Sequence, residues 1–367
     1  MIQSLHISGY RGFADFAVDG LSRVNLIVGK NNAGKTALLE AVHLACAKGD
    51  PNVLIQAAAR RGEMILGETF LPESNHFRPL IESSHLFAGH KIDSESQFAV
   101  SADDALFTVA VSENLDTKEP SDYVRFLDGF TGSASEGKEP TYSVPMTQDG
   151  GVSVHQVRVI RRRRFSANGS KVDGDSPTMF IPTSLLSARD LSSLWTEVQL
   201  QGAEQVVVDA LKVIEPDLRS IVFLASSARG FGAESGPGIL VDMGRDRGRI
   251  PLGSLGEGMK RMLILATAIV AAAGGTLIVD EIDTGLHYST LSRVWELVTA
   301  AAIANDVQVF ATTHSADCVR GMEMLCSARP ELQPEVALHK IVAGQRKSLR
   351  LGGDKLALAL EGDLEVR

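Results

Sequence analysis

Residues 24–36 read Val-Asn-Leu-Ile-Val-Gly-Lys-Asn-Asn-Ala-Gly-Lys-Thr. Val24–Val28 is a short, mainly apolar run of strand length, buried on both faces. The next eight residues fit G-x-x-x-x-G-K-[ST] in full, and a helix is expected from Lys35 to about Lys48, where Gly49-Asp50-Pro51 stops it. A strand that passes through a glycine-rich turn into a helix is a phosphate cradle. Its glycines let backbone N–H groups close around an anion, and the helix N-terminus adds a favourable field. On this reading Gly29, Asn31, Asn32, Ala33, Gly34, Lys35, Thr36 and Ala37 line a nucleotide's phosphates. Lys35 reaches the β- and γ-phosphates and Thr36 ligates Mg²⁺, so ATP and Mg²⁺ are the expected ligands. A glycine turn with no ligand is the bland alternative, and the flanking strand and helix count against it.

Further along, Thr276-Leu277-Ile278-Val279-Asp280-Glu281 is an apolar strand ending in two carboxylates. Ligands of open α/β sheets sit at such strand ends. Asp280 is expected to hold Mg²⁺ through water, and Glu281 to polarise the attacking water beside the γ-phosphate. An acidic pair after a strand is by itself often a mere helix cap; the phosphate cradle reverses that preference. Thr312-Thr313-His314-Ser315 follows another apolar strand, Val307–Ala311, and places His314 34 residues after Asp280, in reach of the same phosphate. Ser254-Leu255-Gly256-Glu257-Gly258 opens the long apolar helix expected over Gly258–Ala273, a second candidate anion site at a helix N-terminus.

The rest of the chain gives coarser expectations. Strands are predicted at 2–8 and 24–28, and helices at 52–61 and 191–211. Antiparallel strands fall between 77 and 180, including Gln97–Val100 and Leu106–Val111, with an exposed loop at Thr131–Glu139. A hairpin is expected around Gly244-Arg245-Asp246-Arg247-Gly248. In the last third, a strand at Thr276–Asp280, a helix at Tyr288–Ala304 and a strand at Val307–Ala311 alternate, which implies a parallel sheet covered on both faces. Hydrophobic residues are 44% and charged residues 22% of the 367, an ordinary globular balance. The net charge of −9 argues against a protein that coats nucleic acid unaided. Arg161-Arg162-Arg163-Arg164 is the one basic run, read first as a solvated strand face and second as a contact to phosphate or to an acidic partner. Cys46, Cys318 and Cys326 show no metal-type pairing, no leader is visible, and the longest apolar run, Met262–Ala273, is short of a membrane span. A reduced cytoplasmic location and no membrane are the expectations.

The order of these motifs resembles the ABC ATPase superfamily, and within it the AAA-15 or OLD-like ATPases, relatives of the RecF and SMC heads. Tyr10-Arg11-Gly12-Phe13, the run Gly29–Glu40, Leu255-Gly256-Glu257-Gly258 and Asp280-Glu281-Ile282-Asp283-Thr284-Gly285-Leu286-His287 carry the resemblance, which covers about residues 1–75 and 180–320. It implies an α/β fold: an ABC-type P-loop ATPase head with a mixed or parallel core sheet, an antiparallel β arm and a helical signature lobe. The expected organisation is 1–76, N-terminal core with the P-loop; 77–180, the β-rich arm; 181–257, a helical and hairpin lobe leading to the signature; 258–320, C-terminal core; and 321–367, tail elements. The resemblance further implies a homodimer or higher oligomer with composite ATP sites. In such a site Ser254, Gly256 and Gly258 of one copy cap the ATP held by another, and Asp283 belongs to the loop that crosses between copies. Arg11 is carried over as a further nucleotide contact. The family's signature serine is replaced by Gly256, with Ser254 two residues earlier. The family's glutamine-bearing loop has two candidates, Gln56 and Gln97.

Two functions are set side by side. One is an ATPase switch or sensor acting through a separate effector, toprim- or nuclease-like, as OLD-like ATPases do in defence against phage. The other is a RecF- or SMC-like DNA-maintenance ATPase that binds DNA itself. A transporter subunit is the weaker third, because Lys35 and Gly256 lie 221 residues apart. The chain is not expected to be a nuclease: 53 residues follow His314, and Asp173-Gly174-Asp175 beside Pro177 reads as a turn.

Overall fold

The computed structural model describes residues 1–47, 52–67, 78–81, 83–90, 96–103, 105–112, 141–148, 151–163, 177–184, 186, 188–212, 214–224 and 238–361. The expected loop at Thr131–Glu139, Arg164 and the pair Asp173/Asp175 lie outside them.

The chain opens with a hairpin, β1 (Ser4–Tyr10) and β2 (Phe13–Asp19), turned at Arg11 and Gly12. β3 (Val24–Gly29) enters the phosphate loop, and α1 (Lys35–Cys46) and α2 (Asn52–Arg61) follow. A short pair, β4 (Met64–Gly67) and β5 (Arg78–Ile81), precedes β6 (Gln97–Ala102), β7 (Ala105–Ser112), β8 (Thr141–Gln148) and β9 (Gly151–Arg163). These last four strands join the opening hairpin in one antiparallel sheet, ordered β2-β1-β6-β7-β9-β8. The segment read from sequence as an arm therefore shares its sheet with the first residues of the chain, through the register Ile7 to Val100.

After β10 (Thr178–Ile181) come α3 (Ala188–Leu200) and α4 (Glu204–Leu211). One helix was expected over 191–211. The chain instead leaves α3 at Gly202, whose φ of 65° is a left-handed C-cap, with Ala203 N–H bonded back to Val198 O. The expected hairpin is present: β11 (Ser220–Phe223), β12 (Ile239–Asp242) and β13 (Arg249–Pro251) form an antiparallel sheet, with a single helical turn at Gly244–Arg247 between the last two. Then follow α5 (Glu257–Ala271), β14 (Thr276–Val279), α6 (Leu291–Ala304), β15 (Gln308–Thr312), α7 (Ala316–Ala328), β16 (Val336–Ile341), β17 (Leu349–Gly352) and α8 (Gly353–Glu361).

The central sheet is ordered β10-β14-β15-β3-β16-β17, parallel except for β17 at its edge. Alternation along its strands divides the core. Leu26, Leu277, Val309 and Leu338 pack with α5, α6 and α7 on one face. Ile27, Ile278 and Phe310 pack with α1 and the antiparallel sheet on the other. α1 thus lies between two sheets, which is why its sequence is apolar nearly all round. Its one acidic side chain, Glu40, is buried and paired twice, to Arg11 at 2.7 Å and Arg61 at 2.8 Å. Among the described residues no helix is long and apolar enough to cross a membrane.

Candidate functional site

The C-terminal ends of β3, β15 and β14, adjacent in that order, deliver the three motifs to one place. α1 begins at Gly34, whose φ of 98° suits glycine and which offers no side-chain cap. The first-turn N–H groups of α1 are therefore left for an external anion. A Cβ on Gly34 would lie 2.6 Å from the Phe13 ring, so the second hairpin strand closes the back of the loop against any larger residue. Asn32 also sits at positive φ, 62°. Asn31 and Asn32 are exposed, Gly29 and Ala33 are half-buried, and Ala37 turns its side chain into the core.

Lys35 is buried, and its ammonium donates to Gly29 O at 2.8 Å and Lys30 O at 3.0 Å, spanning the mouth of the loop. It also lies 3.2 Å from Nδ1 of His314. An ammonium has no acceptor, so Nδ1 accepts and the His314 proton is on Nε2. Nε2 faces Glu281 Oε1 at 3.6 Å. Thr36 Oγ1 is 3.2 Å from an Asp280 carboxylate oxygen. A hydroxyl and a carboxylate converging in this way form a hard-oxygen pair that fits Mg²⁺.

Thr312 organises the two carboxylates. Its hydroxyl donates to Asp280 Oδ1 at 2.6 Å and accepts the Glu281 N–H at 2.9 Å. Glu281 itself has φ of 48°, a left-handed backbone that a non-glycine residue adopts only when held. Its side chain accepts from Thr284 at 3.3 Å. Asp283 accepts from Thr313 Oγ1 at 2.6 Å, which ties the following loop to its own chain. Ser315 caps α7 by accepting the Cys318 N–H.

The structure brings Lys35, Thr36, Asp280, Glu281 and His314 together. Ser254 and Gly256 are exposed at the N-terminal end of α5, and Gly258 is half-buried beside Gly285. Arg11 is placed differently from the nucleotide contact carried over for it. Its guanidinium is 5% exposed and is engaged by Glu40, by both Glu63 oxygens and by His85 O, so it ties the β1–β2 turn to α1 and to the end of α2. Gln56 is exposed on α2 and Gln97 is exposed at the start of β6. Sequence reasoning passed over Arg60, whose guanidinium lies 3.9 Å from the centre of the Phe180 ring; desolvation lowers its pKa while Glu40, Tyr10 and Asp280 oppose that shift. It also gave no role to Thr312, which stands in the run that carries His314, or to Arg261.

Residues 1–97 match the model of the family described as "AAA ATPase domain". Residues 208–317 match that described as "AAA domain, putative AbiEii toxin, Type IV TA system". The chain is 22% identical over 350 residues to a Helicobacter pylori protein called "ATP/GTP phosphatase", covering 89% of this chain and 88% of that one. Among solved structures it is similar to an SMC head bound to the C-terminal winged-helix domain of ScpA, at 14% identity and a TM-score of 0.46, with 96% of this chain and 99% of that one covered. It is likewise similar to the SMC head domain from Thermotoga maritima, at 14% identity and a TM-score of 0.40, with 96% and 98% covered. One AAA model covers the phosphate loop and the other covers Gly256, Asp280, Glu281 and His314, so the chain resembles AAA-type ATPases over both segments that build the site.

Proposed function

We propose that the chain hydrolyses ATP at this site and uses the cycle as a switch acting on a separate effector protein. The observation that carries the catalytic part is the meeting of Lys35, Thr36, Asp280, Glu281 and His314 at three adjacent strand ends. The α1 N-terminus and Lys35 bind the phosphates, Lys35 exchanging its loop carbonyls for phosphate oxygens. Thr36 and Asp280 are the residues that would hold Mg²⁺, which when bound screens phosphate charge. Glu281 accepts the proton of the attacking water. His314, its Nε2 proton facing Glu281, donates to the γ-phosphate or to that water. The name of the Helicobacter pylori relative supports the same class of reaction.

The exposed ends Ser254, Gly256 and Gly258 are read as the cap on the nucleotide of a second copy, with Asp283 in the loop that faces it. The test is complementation. Lys35→Ala removes the phosphate grip. Gly258→Asp puts charge at the signature, where a Cβ meets only ordinary contacts at 3.7 Å, and an unchanged thermal midpoint is the expected control. Each alone is inactive, and a mixture regains activity because one composite site is intact. Verified mixed oligomers with no recovery would remove the composite site.

For the wider role, the toxin–antitoxin wording of one family description supports a conflict system, with antiphage defence through a toprim- or nuclease-like effector as the specific proposal. Purified protein with ATP is expected not to bind DNA tightly. Tight, salt-sensitive binding would instead favour an SMC- or RecF-like role.

A further inference from the structure

Arg261 is among the largest fully buried side chains and is 0% exposed. It lies on α5, the helix that opens at Gly256, yet its guanidinium points to the catalytic strand end. Nη2 donates to Asp280 O at 3.3 Å and to Glu281 O at 3.0 Å, and Nη1 lies 3.5 Å from Pro182 O. Nε has no partner among the described residues. No carboxylate lies within ion-pair distance of it among the described residues. Burial lowers its pKa, opposed by the nearby charges of Asp283, Asp280 and Glu281. A buried arginine is ordinarily spent on a carboxylate; this one is spent on backbone carbonyls, and its two shorter contacts are those of Asp280 and Glu281.

Those carbonyls belong to the residues whose placement decides the chemistry. Glu281 holds a left-handed φ of 48°, and its backbone is gripped from two sides. Thr312 on β15 takes the N–H, and Arg261 on α5 takes the C=O. We propose that Arg261 is a positioning residue that fixes Glu281 for hydrolysis and makes that placement depend on the seating of α5. Because α5 begins at the segment read as the cap on a partner's nucleotide, occupancy of one site then adjusts the base of the other. The inference rests on the reading of Glu281 as the base.

The experiment compares full-length wild type, Arg261→Lys, Arg261→Met, Glu281→Gln and the double variant Arg261→Met/Glu281→Gln. Nucleotide Kd, kcat, KM and thermal midpoint are measured for each. Arg261→Met keeps an apolar stem and removes every donor. It should lower kcat about 10–100-fold, the scale of a small misplacement of a reacting group, with Kd and KM within about 2-fold. Arg261→Lys keeps a donor and should recover part of the loss. On Glu281→Gln the methionine substitution should cost little more, since residues acting as a unit are non-additive. Wild-type kcat in Arg261→Met, or an equal fall in both backgrounds, overturns the inference. Should Arg261→Met fail to fold, Arg261→Lys decides: lowered kcat at unchanged Kd supports it, and wild-type kcat overturns it. Normal turnover by Glu281→Gln sinks the base assignment instead, a separate outcome.

Discussion

Thr312→Val isolates the hydroxyl that joins the Asp280 carboxylate to the Glu281 backbone N–H. Valine keeps the branched shape, so no cavity opens at this 0% exposed position. Two interactions go: the 2.6 Å donation to Asp280 and the acceptance of the Glu281 N–H at 2.9 Å. A hydrogen bond to a charged group contributes about 1.5–3 kcal/mol, and a buried N–H left unpaired costs about 1–3 kcal/mol. The two are coupled through one oxygen, so the combined destabilisation is about 2–4 kcal/mol. The kinetic effect exceeds what stability alone explains, because Glu281 loses one of the two contacts that hold its left-handed backbone; kcat should fall roughly 100-fold with nucleotide Kd unchanged. Thr312→Ser keeps the hydroxyl and loses one methyl, about 1 kcal/mol, and should hold kcat within a few-fold. Urea unfolding and steady-state phosphate release on all three proteins are the assays. Wild-type kcat in the valine variant would refute the reasoning.

Other perturbations test separate parts of the account. Lys35→Ala should lose most ATP affinity with its melting midpoint nearly unchanged; ATP binding like the parent's, measured by calorimetry, would remove the phosphate-loop assignment. Gly34→Ala should abolish ATP binding by forcing a methyl toward Phe13, and Phe13→Leu in the same chain should recover part of it in the same titration. Arg11→Ala leaves buried Glu40 short of a partner and should cost about 3–5 kcal/mol in urea unfolding, while ATP Kd measured below the transition stays within a few-fold. His339, buried on β16 with no partner for Nε2 among the described residues, has its pKa pushed down to about 4, first by burial and then by Arg350. The folded state therefore resists protonation. Its contribution is complete above the unfolded value of about 6.5, and up to about 3 kcal/mol is lost as pH falls through 6.5 toward 4. The urea midpoint of His339→Leu should be flatter across that window than the parent's.

Much of the site was legible because its chemistry is local in sequence. The phosphate loop needs consecutive backbone donors, so it is written as one run from Gly29 to Thr36. The carboxylates and His314 each follow an apolar strand, and parallel strands put their ends on one edge. What could not be read depends on tertiary partners. β2 buries Phe13, Phe16 and Val18, but the three-residue step from Phe13 to Phe16 breaks the period-two alternation by which a strand is read from sequence. The break after α3 was written in Gly202, a left-handed cap inside an otherwise helical pattern. β16 lies beside β3 in the central sheet although its sequence sits in the tail, because a parallel neighbour can come from any distance along the chain. Arg11 belonged to a motif-like run, yet its structural role follows from Glu40 and Glu63, and no local pattern announces such a network. Arg261 is hidden for the same reason: its partners are carbonyls, which every residue has.

The central claim, that Glu281 activates water on a nucleotide held by Lys35 and Thr36, is tested most directly by phosphate release from purified wild type and Glu281→Gln with ATP and Mg²⁺. Glutamine keeps the shape and the Thr284 contact but cannot accept the proton. The account predicts wild-type ATP binding by the variant, accumulation of an ATP-bound assembly on size exclusion, and turnover lowered at least about 100-fold, within the range of a lost general base. Turnover by Glu281→Gln at the wild-type rate, with a contaminating ATPase excluded by an inactive Lys35→Ala preparation, would contradict it.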